Sequence, residues 1–172
     1  MDVRFINPFV VSIREVLKTM ADVEVRHGKP KVKDGTELDV DVSGIIGFSG
    51  DTIGACVLCF PLKVACSLAS SFAGEEMTID HPDFRDAIGE LANMVSGHAK
   101  GQFVGISASI SLPSVVVGNN HEINITGVPD KAPRLIIPCE TDTGSFYLEI
   151  AMICPKAEAS NSGAVSAAAA DG

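Results

Sequence analysis

Asp86, Glu90 and Asn93 stand at i, i+4 and i+7 in the run Asp86-Ala87-Ile88-Gly89-Glu90-Leu91-Ala92-Asn93. At about 100° per residue, the three share one stripe of a helix. Two carboxylates can serve as an acid–base pair. An amide both donates and accepts hydrogen bonds without changing charge. The opposite stripe carries Phe84, Ile88, Leu91, Val95 and Ala99, so the core-facing side is already filled. The polar groups therefore point out of the fold on a rigid element, which suits work on another protein's surface. The plain alternative is a solvated helix face, since Asp, Glu and Asn are ordinary there.

The spacing predicts that this helix begins around Asp80-His81-Pro82-Asp83, with an acid cap, a proline and a further acid in the first turn. It runs to about Lys100 and ends at Gly101. A first helix is expected over residues 6–21, where Phe9, Ile13, Val16, Leu17 and Met20 form a stripe and Pro8 falls in the first turn. Residues 23–33 alternate apolar and charged side chains, as a half-exposed strand does. Strands follow over 38–48 and 53–60, joined by the turn Ser49-Gly50-Asp51-Thr52. Pro61 opens a short helix through Phe72, stopped by Gly74. Strands or fragments are expected over 105–112, 114–117 and 122–126. A last hairpin joins 134–141 to 145–153 around Asp142-Thr143-Gly144. Residues 1–155 read as one domain, and Ala/Ser-rich residues 156–172 read as a flexible tail.

The 172 residues favour a single domain, and 46% hydrophobic content is enough for a substantial core. A formal net charge of -9 repels phosphate backbones and anionic lipid, so neither nucleic acid nor membrane is the expected partner. The opening Met1-Asp2-Val3-Arg4 shows no signal-peptide pattern, and a cytoplasmic protein is expected. Five cysteines at irregular spacing fit reduced thiols. Cys56 and Cys59 form C-x-x-C within a strand, which sends the two side chains to opposite faces and works against chelation. With His27, His81, His98 and His121 scattered, no metal is assigned to this chain.

The chain also repeats itself. Residues 13–20 align without gaps on 88–95, setting Val11, Glu15 and Lys18 opposite Asp86, Glu90 and Asn93. Each such helix precedes a segment bearing a proline (Pro30, Pro113) and then a hairpin with Asp-Thr at its turn. Each half closes on an apolar strand ending at proline: Phe60-Pro61 and Cys154-Pro155. A pseudo-two-fold α+β fold is expected, with long helices packed on one side of a mainly antiparallel sheet.

The pattern Asp-x3-Glu-x2-Asn, followed by Leu112-Pro113 in an expected strand, resembles the signature of the CheC, CheX and FliY chemotaxis phosphatases. The flank Gly89-Glu90-Leu91-Ala92-Asn93-Met94-Val95-Ser96-Gly97-His98-Ala99-Lys100 and the opening Phe5-Ile6-Asn7-Pro8-Phe9 are especially similar to CheX. The resemblance covers residues 1 to about 155. It implies a phosphatase acting on the aspartyl phosphate of a CheY-like response regulator. Asn93 would hold the attacking water, and Glu90 would contact the regulator's active-site lysine. Asp86 would orient Glu90 or the helix start. Gly97 would allow close approach, and Lys100 would steer an acidic partner. Mg²⁺ would sit on the regulator, with no cofactor on this chain. Members of this group dimerise through sheet edges, so a homodimer is implied.

CheX carries one copy of the signature, which agrees with the loss of the amide at Lys18. That lysine can pair with Glu15, and the first-helix site is expected to be inert. Gly89 is expected to pack against another helix, and Pro113 to shape the sheet. Two other functions remain open: a non-catalytic module docking a regulator or flagellar switch component, and a small-molecule hydrolase using the two carboxylates.

Overall fold

The computed structural model describes residues 3–35, 37, 39–125, 127–129 and 132–154. Residues 156–172, read as a tail, lie outside these. Three helices, α1 (Val3–Ala21), α2 (Leu62–Ala73) and α3 (Phe84–Gly101), cover one face of an eight-stranded sheet. The strands are β1 (Arg26–His27), β2 (Lys31–Val32), β3 (Val42–Gly50), β4 (Ile53–Phe60), β5 (Ala108–Ile110), β6 (Ser114–Val117), β7 (Leu135–Thr141) and β8 (Gly144–Ile153). The order is β1-β7-β8-β4-β3-β5, with β2 also on β7 and β6 also on β3. Every described pair is antiparallel.

The two halves exchange strands. β1 and β2 follow the first long helix but pair with β7 of the second half. β5 and β6 follow the third helix but pair with β3 of the first half. β4 and β8 meet in the middle, Val57 facing Glu149. This is the pseudo-two-fold α+β arrangement that the internal repeat predicts.

The main core lies between helices and sheet. Phe9, Ile13 and Leu17 of α1, Leu68 of α2 and Ile88, Leu91 and Val95 of α3 are fully buried there against Ile46, Leu58, Leu148 and Ile150. A second cluster on the far face gathers Val57, Cys59, Ile136, Tyr147 and Ala151 beneath Val40 and Ile125. Cys56 belongs to the first cluster and Cys59 to the second, so the C-x-x-C straddles the sheet. Burial of Glu149 on that far face is compensated by Lys33 Nζ at 2.8 Å and Arg134 Nη1 at 3.1 Å.

Several expected boundaries move. α1 starts at Val3, so Pro8 lies inside the helix and not in its first turn. The single strand expected over 23–33 is two separate two-residue strands. Pro30 has no N–H to give the ladder and Pro138 of β7 has none either, so only Gly28 N–H to Pro138 O (2.8 Å) bridges the gap. β3 begins at Val42. Just before it, Asp41 accepts the Leu62 N–H at 2.9 Å and supplies the start of α2 with a cap that Pro61 cannot provide. α2 stops at Gly74, whose left-handed φ of 75° needs no Cβ there. β5 spans only Ala108–Ile110 of the expected 105–112. No strand forms over 121–125, and Thr126 lies outside the described residues. Ile123 and Ile125 alternate because they lie on the sheet's far face, without an adjacent strand to pair with.

Candidate functional site

α3 positions the three polar residues by burying everything behind them. Phe84, Ile88, Leu91, Val95 and Ala99 are all fully buried. The helix lies hard on β3 at Gly44, where an added Cβ would come within 2.9 Å of Ala92 Cβ and 3.3 Å of the Ile88 carbonyl. α3 begins at Phe84, so the N-cap position falls to Asp83 and not to Asp80 as expected, and the Asp83 side chain makes no capping bond. Asp86 occupies the first turn, where the helix dipole favours a carboxylate. A second fastening ties α3 to α1: Ser12 donates to Pro8 O at 2.6 Å, and His98 Nδ1 lies 3.1 Å from the Ser12 hydroxyl.

Asp86 and Glu90 are exposed, and Asn93 is half-buried one turn on. Asn93 Nδ2 faces Glu90 Oε2 at 3.5 Å, a long contact. A carboxylate only accepts, so it turns the amide's N–H side toward itself and leaves the Asn93 oxygen pointing away. An open depression of ≈ 380 Å³ lies on the Glu90 side of the pair, lined by Arg85, Asp86, Gly89, Glu90, Pro113 and Val115, while Asn93 stands outside its walls. Gly97 and Lys100 continue the same helix face toward its C-terminal end but do not line the depression. Gly97 leaves space: the nearest atom to an added Cβ is Ile110 Cδ1 at 3.8 Å. Among the described residues, no three His, Cys, Asp or Glu groups come together as a metal-binding set.

Two readings of this region need correction. Gly89 does not pack against a helix. Its Cβ position is 3.4 Å from the Pro113 ring and 3.5 Å from Val115 Cγ2, so the glycine admits the edge of the sheet. Leu112-Pro113 is not inside a strand but between β5 and β6. Arg85 was missed by spacing arguments. It borders the depression, with Nη1 3.4 Å from the Val115 carbonyl, and only the tertiary fold brings those residues together.

The repeated helix makes a counterpart depression of ≈ 300 Å³, lined by Val11, Arg14, Glu15, Lys18, Thr19, Glu24 and Val25. Lys18 does not pair with Glu15 as expected. It bonds Asp22 at 2.8 Å and Glu24 at 3.0 Å, two acids that the chain's exit from α1 brings to it. The hydrogen bond to Asp22 is the main cause raising the Lys18 pKa, and the same bond lowers that of Asp22. Glu15 turns instead to His98 Nε2 at 3.4 Å. This side offers a held cation where the other offers an amide.

Comparison with known proteins agrees on one family. The family profile described as "Chemotaxis phosphatase CheX" matches residues 42–140. A curated relative, the CheY-P phosphatase CheX of Thermotoga maritima, is 30% identical over 137 residues, covering 77% of this chain and 88% of its own. A CheC-like superfamily protein from Shewanella sp. PV-4 superposes with a TM-score of 0.79 at 36% identity, covering 89% of this chain and 99% of its own. The CheX–CheY–BeF3–Mg+2 complex from Borrelia burgdorferi matches at TM-score 0.72 and 25% identity, covering 86% of this chain and 97% of its own.

Proposed function

This chain belongs to the CheX family of chemotaxis phosphatases, and from that membership we propose that it hydrolyses the aspartyl phosphate of a CheY-like response regulator, with Asn93 and Glu90 as the working groups. The observation that carries the residue assignment is the Glu90–Asn93 contact on the outer face of a helix whose inner face is locked in the core.

An acyl phosphate is already activated, so its hydrolysis is an in-line attack by water that depends on positioning and charge. The Asn93 carbonyl oxygen, turned away from Glu90, accepts a hydrogen bond from that water and aligns it. The amide does this without needing a particular protonation state. Glu90 makes a charge-assisted bond to the regulator's active-site lysine and so fixes the docking register. Asp86 strengthens the helix start and adds negative potential beside Glu90. Gly97 lets the regulator approach the helix, and Lys100 meets its acidic rim. Mg²⁺ belongs to the regulator, as the composition of the Borrelia burgdorferi complex supports.

Residues 1–155 form the catalytic domain of this reading; in support, both halves contribute to one core and β8 ends at Ile153. The protein works in the cytoplasm, and among the described residues no helix is long and apolar enough to cross a membrane. A homodimer joined at a sheet edge is part of the same proposal, and sedimentation of the purified chain tests it.

A docking module would use the same face without chemistry. Mixing the chain with phosphorylated cognate regulator and timing phosphate release separates the two: the enzyme shortens the phosphate's lifetime catalytically, and a module leaves it unchanged. In the same assay Glu90→Ala raises KM. A Glu90→Ala variant with unchanged KM removes the docking role.

A further inference from the structure

β5 and β6 both pair with β3, but their registers do not join. Phe48 faces Ile110 and Ile45 faces Ser114, so Ser111, Leu112 and Pro113 stand opposite only Ile46 and Gly47. Three residues against two make a β-bulge, a device that redirects a side chain. This one is braced. Ser111 N–H donates to Gly47 O at 2.9 Å, and Gly47 N–H donates to the Ser111 hydroxyl oxygen at 3.0 Å. That hydroxyl in turn donates to Leu112 O at 2.8 Å. Pro113 rests on the bare backbone of Gly89. The result is that Leu112, 87% exposed, is held up on a fastened backbone.

A single exposed leucine needs no explanation by itself. This one follows directly on the depression, because its neighbour Pro113 lines the same wall as Asp86 and Glu90. A protein docking on that depression covers roughly 800 Å² of this surface. Such a footprint is much wider than one helix stripe and must extend over the bulge.

We infer that Leu112 is the apolar anchor that seats the receiver domain of the phosphorylated regulator beside Glu90 and Asn93. The inference rests on the phosphatase reading and adds to it a residue that sets affinity and partner choice. The occupant is a receiver with an apolar patch bordering its acidic phosphorylation pocket. The bulge sets that patch's distance from the helix, so the regulator meets the carboxylate and amide in one register. A water-excluding contact next to polar groups is where interface energy concentrates.

Steady-state dephosphorylation and direct titration of the cognate regulator test this on Leu112→Asp and Leu112→Met. The aspartate variant is expected to raise both KM and Kd about tenfold or more. Its rate at saturation and its thermal midpoint should stay at wild-type values, and Leu112→Met should keep wild-type KM. An aspartate variant whose KM and Kd stay within about twofold of wild type overturns the anchor. So does weakened self-association with unchanged KM, which assigns the bulge to a second copy of the chain. If the wild-type chain binds the regulator but never speeds phosphate loss, the phosphatase reading fails, and the titration alone still decides Leu112.

Discussion

Gly44→Ala should reach the site from inside the protein. The backbone of Gly44 is outside the left-handed region, so alanine carries no conformational penalty there and the effect is steric. Its Cβ would come within 2.9 Å of Ala92 Cβ, 3.3 Å of Ile88 O and 3.4 Å of Ile88 Cγ2. Carbon atoms settle at about 3.5–4.0 Å, so ~0.6–1.1 Å must be found. Ala92 Cβ and the Ile88 carbonyl are short, fixed atoms that cannot swing aside, so α3 itself must move outward from β3. Overpacking of this kind costs about 1–3 kcal/mol, partly offset by the ~0.5–1 kcal/mol gained when alanine replaces a strand glycine. The expected net loss of ~1–2 kcal/mol lowers the thermal midpoint by about 2–8 °C in a domain of this size. Glu90 and Asn93 ride on α3, and a displacement of up to ~1 Å costs roughly 10–10²-fold in rate. Thermal unfolding and regulator dephosphorylation, measured on the same preparation, read both effects. Gly44→Ala combined with Ala92→Gly removes the shortest contact and should recover most of the rate, though a helix glycine still costs about 1 kcal/mol. A Gly44→Ala chain with wild-type midpoint and rate, or a double variant no faster than the single, refutes the reasoning.

Two further outcomes follow from side chains away from the site. Desolvation pushes the Cys56, Cys59 and Cys139 thiols up to about 12 from an ordinary 9. Their contribution to stability is therefore intact below pH 9 and is lost as pH rises from 9 toward 12. At pH 8 a thiol reagent should modify half-buried Cys154 first and Cys66 more slowly, as mass spectrometry of the labelled chain would show. Labelling of Cys56 in the folded protein at the rate of Cys154 would contradict that burial. In the counterpart depression, Glu15→Ala should leave the dephosphorylation rate within about twofold of wild type, since Lys18 is engaged by Asp22 and Glu24 and offers no acceptor for water. A tenfold loss would show a second working site.

What was legible in the sequence was local or periodic. The outward stripe of α3 follows from 3.6-residue spacing with the other side filled by Phe84, Ile88, Leu91, Val95 and Ala99. The turns at Asp51-Thr52 and Asp142-Thr143 mark β3–β4 and β7–β8 directly, and the repeated helix pointed to a two-half fold, though not to the exchange of strands between its halves. What escaped depended on distant segments meeting. The ladder breaks between β1 and β2 where the segment bearing Pro30 meets a strand bearing Pro138, a meeting that neither stretch records alone. Asp41 caps a helix that begins 21 residues later. Lys18 leaves Glu15 because Glu24 returns to its side after the helix ends. Gly89 and Gly44 look alike as glycines, yet one admits Pro113 and the other admits α3. The bulge at Leu112 needed the registers of two strands against a third, which no single stretch records.

The central claim is that an amide, not a carboxylate, does the chemistry. The direct measurement is single-turnover loss of phosphate from the phosphorylated regulator at saturating Asn93→Ala chain. The account predicts a rate that falls to the regulator's own spontaneous value, with thermal midpoint and regulator affinity near wild type. An Asn93→Ala chain that, once saturating, still accelerates phosphate loss as the wild type does would contradict it.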